Sequence, residues 1–114
     1  MALDALFAAY LEAHARTDLE SVLELFGEDA ELEDPVGSPL HRGRAAIRSF
    51  YAQTHARNGP LGIERVGPAI QCGEELVAHV RARILEPGAP PAMDVVYWLR
   101  ADPAGRIGAL RVWY

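Results

Sequence analysis

Apolar residues in the N-terminal half of the chain recur at steps of three and four, which is the spacing of a helix face. The first predicted helix carries Leu3, Leu6, Phe7, Tyr10, Leu11 and His14 on one side. A second helix, capped by Thr17 or Asp18 and ended by Gly27, carries Leu19, Val22, Leu23, Leu25 and Phe26. A third is predicted from Arg44 to His55, with a face formed by Ile47, Phe50, Tyr51 and Thr54.

An extended segment is predicted over residues 28–35, where a proline stops any helix. Side chains alternate between the two sides of an extended chain. Ala30, Leu32 and Asp34 therefore point the same way. This alternation predicts that the Asp34 carboxyl lies on the apolar side of the segment.

Alternation with a period of two replaces helical spacing after Asn58. Strands are predicted over 61–66, 69–72, 76–85, 93–101 and 106–114. One face of the longest strand is formed by Leu76, Ala78, Val80, Ala82 and Ile84. Helices followed by consecutive strands indicate an α+β fold, in which three helices cover one face of a curved antiparallel sheet. A pocket is expected between the two layers.

Length and charge narrow the class of protein. The 114 residues suit one domain, 1–114, and half of them are hydrophobic, as in globular proteins. The net charge of −5 argues against nucleic-acid binding, and no apolar run reaches the length of a membrane span. The N-terminal residues lack the basic start of a secretory signal, so we expect a cytoplasmic protein.

Asp34 and three tyrosines are the candidate functional residues. A carboxylate on the apolar side of a segment is costly to bury without a partner. Asp34 could make a local hydrogen bond near Gly37, or it could take part in a reaction. Tyr10, Tyr51 and Tyr97 each point inward in the predicted elements. Each could be a core tyrosine with a backbone partner, but together with Asp34 they would surround one cavity.

The remaining polar residues predict no metal site and no cofactor site. His14, His41, His55 and His79 lack the spacing of metal ligands, and the single thiol, Cys72, has no neighbouring base. The glycines form no phosphate-binding loop. Two groups are expected to be solvated surface, namely Arg81 and Arg83 on a strand and Glu28, Asp29, Glu31 and Glu33 on an acidic edge.

The sequence resembles the bacterial ketosteroid isomerase (steroid delta-isomerase) family of the nuclear transport factor 2-like, SnoaL-like superfamily. Matching residues are spread over nearly the whole chain, including Asp18-Leu19, Leu25-Phe26, Asp29-Ala30, Glu33-Asp34-Pro35-Val36-Gly37, Gly43-Arg44, Phe50-Tyr51, Met93-Asp94-Val95-Val96 and Gly105-Arg106-Ile107. The resemblance implies a cone-shaped α+β barrel that forms a homodimer. It also implies catalysis without a cofactor.

The resemblance assigns a role to each candidate. Asp34 matches the general base, Tyr10 the hydroxyl that donates to the substrate oxyanion, and Tyr51 a tyrosine that hydrogen-bonds Tyr10. The family's second oxyanion donor is a protonated acid, and Tyr97 stands in its place. Asp94 is three residues away on the opposite strand face, so it cannot take that role.

The implied reaction is proton transfer beside a ketone, such as isomerisation of a 3-oxo-delta-5 steroid to the delta-4 form. We expect an apolar ketone or steroid-like ligand, in a pocket walled by Phe26, Phe50, Val80, Met93, Val95, Leu110, Val112 and Tyr114. Two alternatives remain open. One is a SnoaL-like cyclase or another catalyst that uses the same base, which includes an engineered scaffold, and the other is a ligand-binding protein without catalysis.

Overall fold

The computed structural model describes residues 1–114 and contains three helices. They are α1 (Leu3–Ala15), α2 (Leu19–Leu25) and α3 (Gly43–Asn58). The predicted cap of α2 is confirmed, because the Asp18 carboxylate accepts hydrogen bonds from the Ser21 backbone N–H at 3.2 Å and the Ser21 hydroxyl at 2.7 Å. The predicted apolar face of α1 is also buried.

Seven strands form one sheet. They are β1 (Phe26–Glu33), β2 (His41–Arg42), β3 (Leu61–Arg65), β4 (Ile70–Cys72), β5 (Glu75–Ile84), β6 (Met93–Ala101) and β7 (Ile107–Trp113). Their order is β2-β1-β7-β6-β5-β3, and β4 pairs with β5 beyond the reach of β3. The five predicted strands are therefore confirmed to within two residues at each end, and β2 is a strand that the pattern did not predict.

The expectation of a purely antiparallel sheet was wrong. The first strand runs parallel to the last, with Phe26 opposite Ile107 and Glu33 opposite Arg111, whereas the other pairings are antiparallel. The sheet is also open, because β2 and β3 at its two ends do not pair with each other. The α+β architecture and cone-like shape hold, but the barrel is not closed by hydrogen bonds.

Helix α2 ends one residue earlier than predicted. Phe26 already has extended backbone and Gly27 lies inside β1, so Gly27 does not end the helix. A Cβ at Gly27 would lie only 2.3 Å from an Asp102 carboxylate oxygen. The absence of a side chain at Gly27 therefore allows β1 to approach the turn between β6 and β7. Asp102 closes this turn, because its carboxylate accepts hydrogen bonds from the backbone N–H groups of Ala104 and Arg106.

The core lies between the helices and one face of the sheet. Helix α1 packs against β3 and β5, and α3 packs against β1 and β2. The inward positions of β5 carry Leu76, Ala78 and Val80, which are buried as the alternation predicts. None of the helices is long and apolar enough to cross a membrane.

The acidic edge is less solvated than expected. Glu31 and Glu33 keep only about a quarter of their side-chain surface exposed, at 26% and 22%. Arg42 and Arg111 pair with these carboxylates at 3.3–3.9 Å. These ion pairs link β1 to β2 on one side and to β7 on the other. They help to position the end of β1, where Asp34 follows.

Candidate active site

A cavity of about 470 Å³ opens between the helices and the inner face of the sheet. This volume falls within the range of small-molecule sites, about 300–1,000 Å³. Of the predicted site residues, the lining contains Asp34, Tyr97, Phe50, Met93, Val95, Val112 and Tyr114. Strands β6 and β7 supply most of them, because alternate residues of each strand face the helices.

Five predicted site residues do not line the cavity. Phe26, Val80 and Leu110 were expected to be pocket walls, but they are fully buried in the core. They face the helix layer where it packs directly on the sheet, so no space is left beside them. Tyr10 and Tyr51 are also fully buried and lie behind the cavity wall. The alternation predicted which side of the sheet these residues occupy, but not how far along it the cavity extends.

The Asp34 carboxyl group is largely buried in the cavity wall at the end of β1. Its Oδ1 atom is buried and has no hydrogen-bond partner. Burial raises the pKa of Asp34 to about 6, and the nearby Tyr114 hydroxyl partly opposes this increase by hydrogen bonding to the charged form. Near neutral pH the group is therefore a carboxylate with a free oxygen and a proton affinity suited to a general base.

The structure excludes the alternative in which Asp34 makes a local turn hydrogen bond. The backbone N–H of Gly37 donates to Glu33 Oε2 at 2.9 Å instead. Glu33 points away from the cavity and can reach the turn, whereas the side chain of Asp34 points toward the cavity. Asp34 thus makes no turn hydrogen bond, and the Tyr114 hydroxyl leaves its Oδ1 without a partner.

Three tyrosines form a cluster beside Asp34. The hydroxyls of Tyr10 and Tyr51 are 2.6 Å apart, so neither uses a backbone carbonyl as its partner. The Tyr97 ring lies edge-on to Tyr10, with centroids 5.7 Å apart. Burial raises the pKa of all three phenols, and the Asp34 charge adds to this effect. They are neutral hydrogen-bond donors at pH 7.

Tyr97 is the one member of this cluster that contacts the cavity. The order from the cavity inward is therefore Tyr97, Tyr10 and Tyr51. The hydrogen-bonded hydroxyls of Tyr10 and Tyr51 thus lie behind Tyr97, whose ring packs against Tyr10. Asp94 lies on the outer face of the sheet, where His79 Nε2 is 2.7 Å and Arg81 Nε is 3.2 Å from its carboxylate. Asp94 cannot reach the cavity, as the strand alternation predicted.

The cavity also contains polar residues that the sequence analysis did not assign to it. His14 of α1 lines it and lies 3.1 Å from His55 of α3, measured between His14 Nδ1 and His55 Nε2. Arg57 and Arg83 line its more exposed part, although Arg83 was expected to face solvent only. The sequence signal for this histidine pair was the spacing of four residues from Tyr10 to His14 and from Tyr51 to His55. That spacing places both histidines one turn beyond the tyrosine pair.

No three histidine, cysteine or carboxylate side chains converge as the ligands of a metal ion would. Cys72 is exposed on β4 and lies outside the cavity. The ionisable side chains that line the cavity are therefore one carboxylate, one histidine, two phenols and two arginines, namely Asp34, His14, Tyr97, Tyr114, Arg57 and Arg83.

Comparison with known proteins agrees with this geometry. The SnoaL-like domain family matches residues 7–109. The steroid Delta-isomerase of Nocardioides simplex is 52% identical over 44 residues, which are 39% of this chain and 36% of that protein. This match thus spans about a third of the curated relative. A solved structure of SalBIII, an epoxide hydrolase/cyclase-like enzyme in pyran ring formation in the polyether salinomycin, covers 97% of this chain and 88% of its own. It has a TM-score of 0.82 and 27% identity. The chain belongs to the SnoaL-like domain family.

Proposed function

We propose that the protein is a cofactor-independent isomerase that moves a proton beside an enolisable ketone, most specifically in converting a 3-oxo-delta-5 steroid to its delta-4 isomer. The observation that carries this proposal is the free, buried Oδ1 of Asp34 in a largely apolar cavity. A carboxylate buried there costs the fold free energy, and ionisable groups whose burial is so poorly compensated cluster at functional sites. The steroid Delta-isomerase similarity supports the substrate class.

In the proposed reaction, the Asp34 carboxylate removes a proton from the carbon between the ketone and the β,γ double bond. The electron pair of the broken C–H bond forms the dienolate, and negative charge develops on the ketone oxygen. The protonated Asp34 then returns the proton two carbons further along, which places the double bond in conjugation. Atoms and charge balance within the substrate and one carboxyl group, so no co-reactant is consumed.

Tyr97 is proposed as the donor that contacts the developing oxyanion, because it is the tyrosine of the cluster that lines the cavity. Tyr10 and Tyr51 act behind it as positioning residues, through the hydroxyl pair 2.6 Å apart. This order differs from the roles that the family resemblance implies, in which Tyr10 contacts the substrate. An oxyanion donor in a dry site is worth about 3 kcal/mol of transition-state stabilisation.

A second candidate is cyclase-like chemistry with the same base. It is favoured by the SalBIII structure, which matches nearly the whole chain at 27% identity. In that case Asp34 would deprotonate a hydroxyl whose oxygen attacks an epoxide carbon of the same molecule. The C–O bond of that carbon breaks as the ring closes, and the opened epoxide oxygen takes the proton back from Asp34. The two candidates share Asp34 as the base and differ in the substrate and in the bond that forms after deprotonation.

Ultraviolet absorbance separates the candidates, because the isomerised product is conjugated and the delta-5 3-ketosteroid is not. We expect the wild-type protein to increase the absorbance of this ketosteroid and Asp34→Asn to lose that activity. His79→Leu is the control, since His79 lies on the outer face. Absence of turnover despite saturable binding of the steroid would contradict the isomerase and favour the cyclase or a binding protein.

We further propose that two copies meet through the outer face of the sheet. Ile70, Val77 and Trp98 are consecutive cross-strand neighbours there, and Ile70 and Val77 are 72% and 39% exposed. Arg100 and Arg111 flank Trp98 at 5.8 and 5.5 Å from its ring. An exposed apolar patch with a charged rim is typical of a protein interface. Analytical ultracentrifugation of the wild type and of Val77→Arg tests it: a wild-type monomer would contradict the proposal.

A further inference from the structure

The cavity contains a pair of histidines that the proposed proton transfer does not use. His14 is 8% exposed, lines the cavity, and stacks on Tyr10 with ring centroids 5.6 Å apart. Its Nδ1 atom is 3.1 Å from His55 Nε2, and its Nε2 has no partner within the protein. Two polar rings on different helices are thus joined at the wall of a mostly apolar space, and one nitrogen is left for something in the cavity.

Both histidines are neutral near pH 7. Burial lowers the pKa of His14 to about 4, with a further decrease from His55, and burial also lowers the pKa of His55. A hydrogen bond between two neutral imidazoles needs one N–H and one bare nitrogen. Two arrangements satisfy this, and they differ in which histidine donates.

The other nitrogen of His55 decides between the two arrangements. His55 Nδ1 is buried and has no partner. If His14 donated to His55, this Nδ1 would carry a buried N–H without an acceptor, and such orphaned donors are rarer in proteins than orphaned acceptors. His55 therefore donates through Nε2–H to His14 Nδ1. His14 must then carry its own proton on Nε2, the nitrogen left for the cavity.

We propose that His14 is a second ligand-recognition residue, whose Nε2–H donates to a neutral oxygen acceptor of the bound molecule. This inference deepens the proposed function and rests on it for the identity of the reacting ketone. The substrate is then a ketone with a second oxygen, as a carbonyl, ether or hydroxyl, placed away from the carbonyl that Asp34 and Tyr97 address. A neutral acceptor is favoured over an anion at His14 because the pair carries no charge, whereas an anionic group would be drawn to Arg57 and Arg83 in the more exposed part of the cavity.

The tautomers can be measured without any ligand. Two-dimensional ¹⁵N–¹H NMR of the histidine-labelled protein at pH 7 distinguishes a protonated Nε2 from a protonated Nδ1. We expect His14 and His55 both to be protonated on Nε2, with assignments from His14→Gln and His55→Gln. A proton on His14 Nδ1 would overturn the proposal, because Nε2 would then be unable to donate.

The recognition itself is tested with matched pairs of substituted 2-naphthols, flat phenols whose hydroxyl suits the Asp34–Tyr97 end. Each pair carries either a methoxy or an ethyl group at the same ring position, so that an ether oxygen replaces a methylene of similar size. For at least one position we expect the methoxy compound to bind the wild type about five- to tenfold more tightly than the ethyl compound. His14→Leu should abolish that ratio, and His79→Leu should keep it.

The outcomes separate this inference from the proposed function. A methoxy preference at no position, or one that survives in His14→Leu, would overturn the role of His14 even if the delta-5 ketosteroid is isomerised. A His14-dependent preference without isomerisation would support the role of His14 and contradict only the proposed reaction. Because the NMR experiment uses the wild-type protein, the inference stays testable even if His14→Leu folds poorly.

Discussion

Replacing Asp34 with asparagine should slow catalysis and at the same time stabilise the fold. The folded-state pKa of Asp34 is about 6, compared with an ordinary value of 3.8. Each pKa unit corresponds to about 1.4 kcal/mol, so the ionised carboxylate costs the native state about 3 kcal/mol at pH 8. The asparagine does not ionise, so the variant avoids this cost and loses the base.

The sign of the pH dependence follows from the raised pKa. Below 3.8 the group is protonated in both states and costs nothing, and the cost grows as the pH rises through 6. The stability advantage of Asp34→Asn should thus be about 1 kcal/mol at pH 4.5 and about 3 kcal/mol at pH 8. The change in this stability difference between the two pH values is the more informative quantity, because any packing difference of the amide contributes equally at both.

Two measurements on the same samples test this reasoning. Urea unfolding at pH 4.5 and pH 8 gives the stability difference, and the rate of ketosteroid isomerisation gives the loss of the base, which we expect to be on the order of a hundredfold or more. A stability advantage of the variant that decreases from pH 4.5 to pH 8 would refute the argument. So would a stability difference that does not change with pH.

Three further substitutions probe the hydroxyls around this carboxyl. Tyr97→Phe should weaken binding of a naphtholate by about 1–3 kcal/mol, measured by calorimetry, and unchanged affinity would show that Tyr97 only fills space. Tyr10→Phe should reduce turnover less than Tyr97→Phe does and lower the free energy of unfolding by about 1–3 kcal/mol, since it leaves the Tyr51 hydroxyl unpaired. A larger loss of turnover in Tyr10→Phe would contradict the order of the cluster. Tyr114→Phe should move the acid limb of kcat/KM to higher pH, because the Tyr114 hydroxyl lowers the pKa of Asp34, and an unshifted profile would contradict that contact.

Local patterns predicted most of the elements of this fold. Helical spacing located α1 and α3, and alternation on β5 identified its buried face, because both signals arise within one element. The parallel pairing of β1 with β7 has no local signal, since it joins residues about 80 positions apart. The end of α2 was misplaced because Gly27 is set by its contact with Asp102, a residue distant in sequence.

In the candidate site, too, features with a local sequence signal could be predicted and features that depend on distant residues could not. The alternation that placed Asp34 among apolar residues depends on three neighbouring positions, and the structure places its carboxyl in the cavity wall. The depth of the cavity depends on how helices and sheet diverge, so sequence reasoning included Phe26 and Leu110 as walls although both lie in the core. His14 was assigned to the apolar face of α1. Its hydrogen-bond partner, His55, lies on α3, and no local pattern in the sequence connects the two.

Because β1 pairs with β7, the position of Asp34 depends on the order in which the chain folds. Leu32 and Glu33, which immediately precede Asp34, are held opposite Leu110 and Arg111. Contacts between such distant segments form late and slow the folding of a domain. The ribosome must therefore release β7 before Asp34, the proposed base, has a defined position, whereas the helices can form as they emerge. The order of synthesis thus makes the position of Asp34 a late feature of assembly, set only after β7 pairs with β1.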